Sequence, residues 1–256
     1  SSKTSTTYMD IEMNRTAFIL AAGIGSRLKD MTQNMPKALV NLNEKKLIEV
    51  TLDNLISQDF NNFIINIHHY GDQIIDFINE TEKYKDVKIE FSDERDFLYN
   101  TGGAILKALN LFKDEPAVLI HNVDIVCDID LKRLYDDFLT NEDASWLLTN
   151  ERNNKRKLVF DSDDDYLGRY NIDTQEYIGN FQINDNCRLL SFCGVHFIKP
   201  RYFIDFELKP CYVFDLYDEI AKKAKVKSKQ VRPSYWYDLG TKEQLKEASE
   251  WLSSQK

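Results

Sequence analysis

The stretch LAAGIGSRLKDMTQNMPKALV, residues Leu20 to Val40, decides how this chain is read. The apolar run TAFILAA, Thr16 to Ala22, leads into it and predicts a buried strand. Gly23 and Gly25 stop that strand. Glycines let backbone amides approach phosphate oxygens closely. Arg27 adds a guanidinium able to clamp a polyphosphate through paired hydrogen bonds. Lys37, after Pro36, adds a compact point charge near the same loop. Two familiar glycine motifs are excluded. The dinucleotide fingerprint fails because Leu28 stands where its third glycine belongs. The P-loop fails because no glycine is followed at the required distance by Gly-Lys-Ser/Thr.

Outward from this loop, strand and helix patterns alternate. Helical spacing is read over Leu47 to Asp59, Asp72 to Thr81 and Ala104 to Phe112, and strands over Phe63 to Ile67, Val87 to Phe91 and Ala117 to His121. Asp130 caps a helix that turns Leu131, Leu134, Tyr135 and Phe138 inward, and Ala144 to Thr149 is a further strand. The alternation predicts an α/β, Rossmann-like sheet, mixed but mostly parallel, with helices on both faces. From Glu151 to Ser191 the chain turns polar and β-leaning, and reads as hairpins at the sheet's edge or mouth, a β-rich insertion near a substrate site. Gly194 to Ile198 resumes a strand and Val213 to Ala224 a helix. The last helix opens on Thr241 and Gln244 at capping-box spacing. Residues 16–256 therefore read as one domain, and residues 1–14 as a disordered arm or tag remnant.

Composition narrows the function. Net charge is −9 over 256 residues, so wholesale binding of a nucleic-acid backbone is not expected. No apolar run has the length of a membrane span, and residues 1–14 lack the pattern of a signal peptide. Cys127, Cys187, Cys193 and Cys211 show no zinc spacing and read as free thiols of a cytoplasmic protein.

The Leu20–Val40 stretch resembles the signature of the sugar-1-phosphate nucleotidyltransferases. Three later blocks resemble the same family in order: Thr101-Gly102-Gly103, Asn122-Val123-Asp124, and Trp236-Tyr237-Asp238-Leu239-Gly240. The resemblance implies an enzyme that joins a nucleoside triphosphate to a sugar 1-phosphate and releases pyrophosphate. It implies Arg27, Lys37 and Asp124 as catalytic residues, and Asp124 and Asp238 as carboxylates for Mg²⁺. Nucleotide binding falls to Ala21, Ala22, Gly23, Gly25, Ser26, Thr101, Gly102 and Gly103, the last three opening a helix whose free amides face the base. Asn122 and Gly194 are expected on the sugar-phosphate side. Within the family, SDERDFLYNTGGAILKAL resembles most the N-acetylmuramate-1-phosphate uridylyltransferases, with mannose- or heptose-1-phosphate guanylyltransferases as the alternative. The expected partners are small molecules only, and the expected state is monomer or homodimer.

Two departures stand out. Val123 replaces the family's usual glycine between Asn122 and Asp124, and no Glu-Lys-Pro segment is present to hold the sugar phosphate. Lys155, Arg156 and Lys157 have the right charge to substitute, or form a solvated cluster on a hairpin. Lys37, as a loop lysine, is expected to matter little for stability. The acidic run Asp161 to Asp165 fails as a calcium loop, because Tyr166 and Ile172 stand where glycine and glutamate belong. His68 and His69, neighbours at a strand end, point to opposite faces and make a poor chelating pair, though one of them could line the sugar pocket. A protein that kept this fold only to bind nucleotide would be expected to lose Arg27, Lys37 or a carboxylate, yet all are present.

Overall fold

The computed structural model describes residues 14–28, 30–179 and 183–255, so the arm expected at residues 1–14 lies, but for Asn14, outside the described residues. In chain order the elements begin with β1 (Thr16–Leu20), β2 (Asn41–Leu42), β3 (Lys45–Lys46), α1 (Leu47–Ser57), β4 (Asn62–Ile67), α2 (Gly71–Glu80), β5 (Lys88–Asp93) and α3 (Asn100–Phe112). They continue with β6 (Val118–Asn122), β7 (Ile125–Cys127), α4 (Leu131–Leu139), β8 (Ser145–Asn150), β9 (Arg156–Phe160), β10 (Tyr166–Asn171) and β11 (Tyr177–Gly179). The last are β12 (Arg188–Ile198), α5 (Val213–Ile220), β13 (Val226–Gln230), β14 (Trp236–Asp238) and α6 (Lys242–Ser254).

Strands β5, β4, β1 and β6 lie side by side and parallel. β12 then runs antiparallel to both β6 and β8, and β13 closes that edge parallel to β8. The mixed, mostly parallel sheet read from the sequence is thus present. Its strands are apolar on both faces, as a sheet covered on both sides requires. In β1, Ala17 and Ile19 face one core while Phe18 faces the other, and β4 divides Phe63, Ile65 and Ile67 from Ile64 in the same way. Leu52 and Leu55 of α1, Ile74 of α2, Tyr135 and Phe138 of α4 and Leu245 of α6 fill the first core. Ile105 and Phe112 of α3 and Leu216 and Tyr217 of α5 fill the second.

The region from 151 to 191 forms the expected hairpins. β9, β10 and β11 pair antiparallel in sequence, and β9 joins the first residues of β12. The acidic run closes the β9–β10 turn, where the Asp161 carboxylate accepts from the amides of Asp163 and Asp165. Two boundaries differ from expectation, and three short strands are unexpected. α3 begins at Asn100 rather than Ala104, because two glycines in its first turn hide the helical signal. α5 ends at Ile220. β7, β13 and β14 are short or polar and carry no readable alternation. Among the described residues no helix is long and apolar enough to cross a membrane.

Candidate active site

The chain leaves β1 toward β4 and β5, then returns through α3 to β6 on the other side of β1. Ligands of open α/β sheets bind at such a reversal, beyond the carboxyl ends of the strands. A cavity of about 300 Å³ opens there. It is lined from the end of β1 by Ala22, Gly23, Gly25, Ser26 and Arg27, from the end of β6 by Asn122 and Asp124, and at its far end by Glu94 and Thr101.

The loop after β1 is held at its root. The Asn66 carboxamide oxygen accepts from the amides of Ala21 (2.6 Å) and Ala22 (3.1 Å), which turns the chain out of the sheet. Gly25 adopts φ +66°, and a side chain there would meet Thr32. Gly23 differs, since a Cβ at that position would meet no protein atom. Among the described residues, the amides of Gly23 to Arg27 have no protein acceptor. The exposed Arg27 guanidinium lies against Gly240 and has no acidic partner among the described residues. A row of bare amides beside an unpaired guanidinium has the chemistry to receive a polyphosphate.

Lys37 departs from expectation. It lies in a tight turn behind Pro36, is 7% exposed, and forms an ion pair with Asp124. Removing one partner of a buried pair leaves an uncompensated charge, so this lysine supports the fold as well as the site.

The second carboxylate arrives by a short ribbon. β14 pairs antiparallel with β7, which sets Asp238 opposite Ile125, and the Leu239 amide donates to the Asp124 carbonyl (2.8 Å). The two aspartates thereby become neighbours. Oδ1 of Asp238 is buried with no hydrogen-bond partner among the described residues. Burial first, and then the charge of Asp124, push the Asp238 carboxyl above its ordinary range, while Lys37, Arg27 and Arg152 pull it down. A pair of crowded carboxylates, one with an orphaned oxygen, fits a divalent cation. Among the described residues there is no cluster of three or more acidic, histidine or cysteine ligands. Mg²⁺ commonly takes one or two carboxylates and completes its shell with water and substrate phosphates, so the pair suffices. Val123, in place of a glycine, is buried and forms one wall of the cavity, and its amide donates to Leu20. Gly194, at φ +77°, sits against Asn122 and Ile125 on the same side.

The glycine pair of α3 has a different task from the one expected. The amides of Gly102 and Gly103 both donate to the Cys211 carbonyl, at 2.9 and 3.2 Å, so they are not free for a base. Side chains at these positions would strike the carbonyls of Tyr212 and Lys209. The pair lets residues 209–212 pack against the helix, and Asn100, Thr101 and Tyr212 line the cavity instead. Glu94, fully buried at that end, accepts from the Asn66 side chain (2.8 Å) and the Tyr99 amide (3.2 Å). Burial raises its carboxyl above the usual range, and both hydrogen bonds oppose the shift.

The three cations proposed for the sugar phosphate do not line the cavity. Lys155 is exposed and pairs with Asp173, and Arg156 is exposed at the start of β9. Lys157 is buried and donates to the Arg152 carbonyl and the Ser191 hydroxyl. His68 binds the Glu94 carbonyl and His69 stacks on Tyr70, and neither lines the cavity. Asn66 left a trace in the sequence, a polar residue inside the apolar run of β4. Glu94 and Arg152 left none.

Comparison with known proteins agrees with this geometry. Over 230 residues the chain is 28% identical to the D-glycero-alpha-D-manno-heptose 1-phosphate guanylyltransferase of Campylobacter jejuni, covering 89% of this chain and 95% of that protein. It is 36% identical over 111 residues to the N-acetylmuramate alpha-1-phosphate uridylyltransferase of Caulobacter vibrioides, covering 43% of this chain and 46% of that one. HddC from Yersinia pseudotuberculosis, solved in complex with GMP-PN, shares the fold with a TM-score of 0.73 at 20% identity, over 93% of this chain and 99% of its own. A UDP-glucose pyrophosphorylase solved with UDP-glucose gives 0.71 at 16% identity, over 95% and 100%. The sequence family described as nucleotidyl transferase matches residues 16–158, more than half of the chain, from β1 through Asp124 into β9. With its glycine loop at the end of β1 and its first carboxylate just beyond β6, the chain belongs to the nucleotidyl transferase family.

Proposed function

We propose that residues 16–256 form one domain that transfers a nucleotidyl group from a nucleoside triphosphate to a sugar 1-phosphate. The observation that carries this reading is the meeting, at one strand reversal, of bare loop amides, the unpaired Arg27 and the Asp124–Asp238 pair. The loop amides and Arg27 hold the β- and γ-phosphates, where charge builds as pyrophosphate leaves. Lys37, anchored on Asp124, presents its ammonium to the α-phosphate. A sugar-phosphate oxygen attacks the α-phosphorus in line, the bond to the β-phosphate oxygen breaks, and that oxygen keeps the electron pair. The nucleophile is already ionised, so no general base is required and the residues act by positioning and charge. Asp124 and Asp238 would hold Mg²⁺, which supplies the positive charge that offsets repulsion between the two phosphates.

For the base, we favour guanine. Glu94 lines the inner end of the cavity as a buried acceptor, and guanine offers two adjacent donor groups to a carboxylate where uracil offers one. The similarity to a guanylyltransferase also runs through nearly the whole chain. The second reading is UTP with N-acetylmuramate 1-phosphate. It rests on the 36% identity to a uridylyltransferase over 111 residues. Pyrophosphate release from four triphosphates against mannose, heptose and N-acetylmuramate 1-phosphates, with Mg²⁺, separates them. GTP is expected to lead, and Glu94→Gln to lower kcat/KM for GTP by about tenfold. A clear preference for UTP would reverse the base assignment and leave the transfer reading standing. No pyrophosphate from any pair would refute both.

A further inference from the structure

Asp238 is flanked by two guanidinium groups. Arg27 lies against Gly240, two residues after it, and Arg152 lies over Trp236, two residues before it. Arg27 belongs to the nucleotide loop. Arg152 comes from the turn after β8, on the side where β12 bends at Gly194.

Arg152 is held in place more firmly than a surface arginine. Its guanidinium carbon stands 3.4 Å from the centre of the Trp236 ring. Nε donates to the Asn150 side chain (2.9 Å), and a terminal nitrogen donates to the Phe192 carbonyl (2.7 Å). Its own carbonyl accepts from Lys157 and from Ser191 (2.9 Å), and Ser191 also binds the Asn154 side chain (2.7 Å). Lys157 thus braces the turn that carries Arg152. The Trp236 indole is fixed in turn by a 3.0 Å hydrogen bond to the Cys193 carbonyl.

No carboxylate forms an ion pair with Arg152 among the described residues. Burial pulls its guanidinium below the usual range, with Asp238 among the groups that oppose the shift. Among the described residues, two of its five N–H groups are used by protein and three remain. A rigid, half-buried, unpaired cation in a chain of net charge −9 is arranged for an anion from outside. The reaction brings two phosphate groups to one carboxylate pair. Arg152 does not itself line the cavity, but it lies on Trp236, which shares a face of β14 with Asp238, while Arg27 lies against Gly240 beyond it.

We propose that Arg152 is a binding residue for the phosphate of the sugar 1-phosphate, as Arg27 is for the triphosphate. This rests on the transfer reading above. The test uses the full chain with Mg²⁺, mannose 1-phosphate, N-acetylmuramate 1-phosphate, and GTP or UTP. In Arg152→Gln the KM for either sugar phosphate is expected to rise about 10- to 100-fold. Triphosphate affinity, measured at equilibrium without sugar phosphate, should stay within about twofold. The variant should stay folded with a melting temperature lowered by a few degrees, since it loses the bonds to Asn150 and Phe192. Arg152→Lys keeps the charge and loses the fork, so it should recover only part of the loss. If wild type turns over and folded Arg152→Gln keeps the wild-type KM for both sugar phosphates, the assignment fails alone. A rise confined to N-acetylmuramate 1-phosphate would place the sugar's carboxylate there and overturn the phosphate role. If Arg152→Gln does not fold, Arg152→Lys decides, and a wild-type KM in that variant overturns the assignment. A wild type that releases no pyrophosphate would overturn both this assignment and the transfer reading.

Discussion

The two halves of the site are built by opposite means. The nucleotide half is one continuous segment, Ala21 to Arg27, tied down at Ala21 and Ala22 by Asn66. Its amides from Gly23 onward and its guanidinium have no protein partner among the described residues. The carboxylate half is drawn from five distant segments and is full of partners. Lys37 pairs with Asp124, β7 with β14, Trp236 with Cys193, and Arg152 with Asn150 and Phe192. The difference teaches that the first half contributes little to folding and waits for a ligand. In the second half, stability and function share the same atoms.

The sharpest break of that comparison lies within the carboxylate pair. Asp124→Asn and Asp238→Asn should each lower turnover by about a thousandfold or more, measured as pyrophosphate release. Their effects on the ligand-free protein should oppose each other. Asp124→Asn strands the buried Lys37 and lowers the melting temperature. Asp238 has a carboxyl raised in the folded state, so its ionised form destabilises the fold once pH exceeds the unfolded value. Removing that charge should raise the melting temperature at pH 7. Equal shifts of the same sign would show that the two carboxylates are not placed as described.

Lys37→Met sharpens the comparison further. We expect about a hundredfold loss in rate together with about 3 kcal/mol of stability by urea unfolding. A rate loss with unchanged stability would put Lys37 in the partner-free half after all. Next come the glycines. Gly23→Ala should leave the urea midpoint alone and raise the KM for triphosphate about tenfold, because its methyl would enter the cavity. Gly102→Ala should do the reverse, costing about 2 kcal/mol through the clash with Tyr212. If Gly23→Ala destabilised more than Gly102→Ala, the assignment of open and packed glycines would be wrong.

The glycines also show what was legible. Gly23, Gly25 and Arg27 are read from the sequence because their chemistry is local. Gly102 and Gly103 are equally visible, but their hydrogen bonds go to Cys211, a partner far along the chain. Asp124 and Asp238 could be paired only by resemblance to a family, since the ribbon joining them is three residues on each strand. Lys37 reads as a loose loop lysine because burial is not a local property. Arg152 was hidden for a different reason. Its meaning lies in the carboxylate it lacks, which a sequence cannot display. The sheet fared better, because alternating apolar positions such as Ala17, Phe18 and Ile19 record both faces directly.

The mildest expected effect concerns the floor of the carboxylate half. His121 and His196 sit on the adjacent strands β6 and β12, fully buried, with three of their four ring nitrogens unpartnered among the described residues. Burial pulls them down to about 4 and about 3. Their folded values lie below the unfolded one, so the unfolded chain gains protons first as pH falls. Stability should therefore decline from about pH 6.5 toward pH 4. His196→Phe should flatten that decline in urea titrations at pH 7 and pH 5. An unchanged slope would assign the acid sensitivity to other groups.

The β7–β14 ribbon also sets an order in time. A ribosome makes the glycine loop and Asp124 long before Asp238, and the backbone bond from Leu239 to the Asp124 carbonyl can form only after that. A nascent chain can thus fold its first parallel strands, and even cradle a triphosphate, while it still lacks the second carboxylate. On the transfer reading, competence comes late, when β14 docks on β7 and brings Asp238 beside Asp124.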